Sequence, residues 1–70
     1  MRIAEGIKAQ VREQVAAARA LEGTHARLPS ELAWAAQLHV TRSTLRRVLH
    51  DLEREGLLYP VTGKGWYVSG

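Results

Sequence analysis

Arg42, Ser43, Thr44, Arg46 and Arg47 crowd together directly behind Thr41, with no acid among them. Guanidinium groups donate paired hydrogen bonds to oxyanions and to base edges, and short hydroxyls offer adaptable bonds beside them. A second, smaller group follows at Thr62-Gly63-Lys64-Gly65, where a point charge stands among glycines whose backbone N–H groups can approach a ligand closely. Both groups suit an extended polyanion. The acids of the first segment, Asp51, Glu53 and Glu55, all come later. Cations at the start of a helix and anions at its end oppose the macrodipole twice, so helix stability alone does not select this order. A polyanion laid across the first turns would.

Composition narrows the classes. Ten Lys and Arg against seven acids give a net charge of +3 and a pI near 10.0, a modest excess whose placement matters more than its size. The 70 residues suit one small domain, 1–70, with a small core and no room for a large ligand cavity, so no small-molecule site is expected. With no cysteine there is neither a disulfide framework nor a zinc–thiolate site, and a reducing compartment is compatible. His25 has no Cys or acidic neighbour at ligand spacing and reads as a solvent-exposed loop histidine; no metal and no cofactor are expected. An enzyme is not expected either. No glycine-rich phosphate loop of the right spacing is present, and His50 and Asp51 are helix neighbours that do not face each other. Met1-Arg2-Ile3-Ala4-Glu5 opens straight into an amphipathic pattern, and no apolar run approaches a membrane span, which points to a cytoplasmic protein without a membrane partner.

The positioning elements can be read from periodicity. Leu45, Val48, Leu49 and Leu52 recur at i, i+3, i+4 and i+7, one apolar stripe of a helix over 41–55. Thr41 is its expected N-cap and Gly56 its left-handed stop. Facing that stripe inward turns Ser43, Arg47, His50 and Arg54 most directly outward, with Arg46 and Thr44 on the flanks. Ile3, Ile7, Val11, Val15 and Ala18 predict a first helix over 3–20, closed by Gly23; its Arg and Lys read as a solvated face. A very short strand is expected around Ala26 to Leu28. Pro29-Ser30-Glu31 starts a second helix over 30–38, nearly apolar all round, so periodicity does not say which side is buried. Two helices joined by so tight a turn, the second basic at its start, predict a helix-turn-helix. Leu57-Leu58-Tyr59-Pro60-Val61 and Trp66-Tyr67-Val68 then read as a β-hairpin, a wing over 57–69, with Pro60 on an edge or with its nitrogen facing out.

The expected fold is therefore mostly α with a small β-hairpin: a winged helix-turn-helix of three helices and a two- or three-stranded wing. Its chemistry follows from the geometry of double-stranded DNA, whose major groove, ~12 Å wide, admits one helix. Arg46 and Arg47 can donate bidentate bonds to guanine or phosphate, Ser43 and Thr44 shorter ones, while Lys64 and the wing glycines meet the backbone. A second class is a winged helix used for protein–protein interaction, through a contiguous patch of Leu32, His50 and the wing aromatics. Architectural DNA binding of a plasmid or phage kind is a variant of the first.

Several fragments acting together make the pattern specific. Leu28-Pro29-Ser30-Glu31, Gln37-Leu38, Val40-Thr41-Arg42, Leu45-Arg46, Leu52, Glu55-Gly56-Leu57 and Gly63-Lys64-Gly65 ahead of Tyr67-Val68 resemble the DNA-binding domain of GntR-family bacterial transcription regulators. That resemblance implies a winged helix that binds an operator as a homodimer on a palindromic site, usually as a repressor. It also implies DNA contacts at Thr41, Arg42, Ser43, Thr44 and Arg46, and at the wing tip, Thr62 and Gly63. Three positions depart from the family pattern. Leu32 stands where a DNA-contacting arginine is usual, leaving Arg47 or Lys64 to substitute; Trp34 replaces a leucine and is expected in the core; His39 takes a turn position usually held by glycine. Family members of this kind usually continue into an effector-binding domain, so the chain reads either as an excised domain or as a short stand-alone regulator.

Overall fold

The computed structural model describes residues 3–70, with side chains from Gly6 onward; Ile3 of the expected apolar stripe lies outside those side chains. Helix α1 (Ile3–Glu22) buries Ile7, Val11 and Val15 along one face and half-buries Ala18. It runs past the expected end at residue 20, because nothing before Gly23 stops it. Gly23 takes a φ of 87°, and its N–H donates to the Arg19 carbonyl at 2.8 Å.

Helix α2 (Glu31–Leu38) starts at Ser30, whose Oγ accepts the Ala33 N–H at 3.2 Å. Of its apolar residues only Trp34 and Ala35 are buried, which settles the side that periodicity left open. Trp34 is fully enclosed, and its indole N–H donates to Gln14 Oε1 of α1 at 2.6 Å. The helix ends at His39 with φ 58° and ψ 41°, a left-handed residue without glycine's freedom. Val40 N–H returns to the Ala35 carbonyl at 3.1 Å and closes the turn.

Helix α3 (Arg42–Arg54) is capped by Thr41, whose Oγ1 accepts the Thr44 N–H at 3.2 Å. It buries Leu45, Val48, Leu49 and Leu52. Gly56, with a φ of 80°, turns the chain into the wing. Strands β1 (Leu58–Val61) and β2 (Gly65–Val68) pair antiparallel, Leu58 opposite Val68 and Val61 opposite Gly65. On the other side of β2, Arg27 forms a single bridge with Tyr67, flanked by Leu28 N–H to Trp66 O at 2.9 Å and Val68 N–H to Ala26 O at 2.9 Å. The short strand expected at 26–28 is thus a bridge, since Pro29 has no N–H with which to extend the ladder. It leaves β1 on the outer edge, where Pro60 is exposed and costs no ladder bond.

The architecture is a winged helix-turn-helix. Leu58, Trp66 and Val68 of the wing close over the same core that α1, α2 and α3 share, which fixes the wing beside the start of α3.

Candidate nucleic-acid interface

The first turn of α2, the first three turns of α3 and the wing line an open cleft of about 560 Å³. Arg42, Arg46 and Lys64 supply its cations, and Thr62 and Gly63 its wing rim. The arginine side chains are 62% and 56% exposed. Thr41, Ser43 and Arg47 are also exposed but stand outside the cleft, on the neighbouring surface of the start of α3. Thr44 is half-buried, and its hydroxyl oxygen accepts from Thr41 Oγ1 at 2.9 Å. The nine expected contact residues therefore divide: five line the cleft, Arg42, Arg46, Thr62, Gly63 and Lys64, and four border it.

Three further residues organise the cleft, and sequence patterns missed them. The sequence marks Glu31 as part of a helix start; in the fold its Oε1 accepts from Arg42 Nε at 3.2 Å and lies 3.6 Å from Arg46 Nε. Its other oxygen, Oε2, accepts the Trp66 indole N–H at 2.8 Å. Burial pushes this carboxyl up, but the Trp66 and Arg42 hydrogen bonds and the charges of Arg46 and Arg42 outweigh it, leaving it below the usual glutamate range. Arg27 Nη2 donates to the Lys64 carbonyl at 3.2 Å and so holds the wing tip from the opposite side of β2. His50, expected to point straight outward, remains exposed but packs edge-on against Trp66 with ring centroids 5.5 Å apart, because the wing folds back over this side of α3. None of these pairs is close in sequence, so no local spacing announces them.

Leu32, in the position of the missing arginine, is 70% exposed and lines the cleft together with Lys64. Lys64 shares the cleft with Leu32, whereas Arg47 does not. A protein-interaction patch of Leu32, His50 and the wing aromatics is missing one member, since Trp66 is 3% exposed and bonded to Glu31.

Comparison with known proteins decides the family. Residues 3–68 match the description "Bacterial regulatory proteins, gntR family". The chain belongs to the GntR family. As a GntR-family chain it is 48% identical over 42 residues, 60% of its length, to the HTH-type transcriptional repressor NagR of Bacillus subtilis strain 168. It is 42% identical over 43 residues, 61% of its length, to the arabinose metabolism transcriptional repressor of Geobacillus stearothermophilus. These stretches are 17% and 12% of the two repressors, so the chain spans a small part of either. Among solved structures, the DNA-binding domain of AraR in complex with operator ORR3 superposes with a TM-score of 0.72 at 33% identity, covering 89% of this chain and 77% of that one. The winged helix-turn-helix of this GntR-family chain is thus shared with a domain caught on its operator.

Proposed function

We propose that this GntR-family winged helix reads double-stranded DNA sequence-specifically in transcriptional regulation, as a repressor, with the start of α3 in the major groove and the wing on the backbone. The observation that carries this reading is the cleft itself: Arg42 and Arg46, at 62% and 56% exposure, face Lys64 across a helix start that no acid of its own helix occupies. Arg42 and Arg46 point at base edges, Arg47 and Lys64 at phosphates. Thr41, Ser43 and Thr44 supply short bonds at the groove rim, and Thr62 and Gly63 let the wing approach the backbone.

The repressors it resembles and the AraR domain on its operator support DNA as the partner. A single module of this kind buries ~600–1,000 Å² on DNA and binds one half-site weakly, so a homodimer on a palindromic operator is the working form. The domain is a binding module rather than an enzyme, and it works in the bacterial cytoplasm; no helix among the described residues is long and apolar enough to cross a membrane.

The test is selection from a pool of randomised duplexes, with sequencing, at two salt concentrations. Enrichment of a short palindromic motif, with affinity falling steeply as salt rises, is expected. Binding without enrichment contradicts sequence reading, and absence of binding at low salt contradicts DNA as the partner.

A further inference from the structure

One acid stands where the interface needs cations. Glu31 is 16% exposed, inside a cleft whose other charged walls include Arg42, Arg46 and Lys64. A helix start favours an acid, but that does not explain the company this one keeps. The carboxylate joins three elements: its own on α2, the two arginines of α3, and Trp66 of β2 at 2.8 Å. Both arginines meet it through Nε, the guanidinium nitrogen nearest the chain, at 3.2 and 3.6 Å. The two Nη groups of each remain at the outer end of side chains more than half exposed, the end that forms paired bonds to guanine O6 and N7. Meanwhile the negative charge cancels part of the arginines' attraction for any phosphate brought near. A cleft built only to hold DNA tightly would do better without it.

We propose that Glu31 is a positioning residue for base selection: it aims Arg42 and Arg46 by their Nε ends and lowers their pull on phosphate, so that the cleft discriminates among duplexes. This rests on the DNA-reading function proposed above. Two conservative variants separate the two parts of the role. Glu31→Gln keeps the shape and an oxygen for the Trp66 N–H but removes the charge; Glu31→Asp keeps the charge but draws the carboxylate back by one methylene.

The experiment measures affinity for the selected operator and for a scrambled duplex across a salt series, after thermal melts show both variants folded. Glu31→Gln is expected to bind the scrambled duplex about tenfold tighter at 0.1 M salt, with a salt slope steeper by about one, the worth of one further neutralised phosphate. Its affinity for the operator rises less, so the operator-to-scrambled ratio falls. Glu31→Asp is expected to leave the scrambled duplex unchanged and to weaken the operator about tenfold. An unchanged ratio in both variants overturns the positioning role. A wild-type chain that fails to distinguish the two duplexes overturns the DNA-reading function beneath it, and that failure is visible before any variant is made.

Discussion

Two glutamates of this small domain each gather two cations, and they do different work. Glu55, at the C-terminal end of α3, accepts from Lys8 Nζ and Arg12 Nη2 of α1, both at 2.8 Å. Those bonds hold its carboxyl below the usual glutamate range. An anion at a helix C-terminus is unfavourable, and the two α1 cations offset it while tying α1 to α3. Glu31, at the other end of the pair α2 and α3, draws its cations from α3 itself, and their outer ends remain open to the cleft. The same ion-pair chemistry is a strut in one place and a sighting device in the other. What separates them is where the far side of each cation faces.

That contrast can be broken by substitution. The largest effect is expected for Arg46→Ala, which should weaken binding to the selected operator by about 10- to 100-fold and relax preference at one base position, with a far smaller change on random DNA. Titrations on both duplexes check it, and equal losses on the two would remove base reading from Arg46. Lys64→Ala should lower affinity for all sequences alike, by about tenfold, and reduce the salt slope by about one. A change confined to the operator would move Lys64 from phosphate to base.

His39→Gly sharpens the comparison from the turn that places α2 against α3. Relieving a left-handed histidine should raise unfolding free energy by about 1 kcal/mol, read from urea denaturation, with DNA preference unchanged. A clear loss of stability would mean the turn gains more from the histidine side chain than it loses in strain.

The smallest effect belongs to the two carboxylates as acids. Both have folded-state pKa values below their unfolded ones, so their stabilising contribution is present at neutral pH and lost as pH falls through the ordinary glutamate range, about 4.3, and below it. Denaturation midpoints should therefore fall on acidification, and Glu55→Gln should flatten part of that fall without touching DNA binding. A Glu55→Gln variant that loses operator preference would erase the distinction between strut and sight.

Much of the fold was legible in the sequence because its decisive signals are local. Ser30 and Thr41 cap helices with their own hydroxyls, the stripe from Leu45 to Leu52 names its buried face, and Gly56 and Gly63 mark turns by the backbone they permit. Trp34 could be assigned to the core by its place in an apolar helix, although its bond to Gln14, 20 residues away, could not. The cleft was half legible. A run of arginines behind an N-cap declares itself, whereas the Glu31–Trp66 bond spans 35 residues and the Arg27–Lys64 bond 37, distances at which no periodicity speaks. The end of α1 is less legible for the opposite reason: Leu21 follows Ala18 at a helical spacing but is 84% exposed and buries nothing, so the helix runs on to Glu22 only because no breaker precedes Gly23.

The most direct measurement is a titration of the isotope-labelled chain with the selected duplex, following backbone amide and arginine Nε–H resonances. The shifts should concentrate at Thr41–Arg47 and Thr62–Lys64, with the Nε–H signals of Arg42 and Arg46 changing together, while the amides of Lys8, Arg12 and Glu55 stay in place. Shifts centred on α1, with the cleft undisturbed, would contradict the placement of the DNA-reading surface between α3 and the wing.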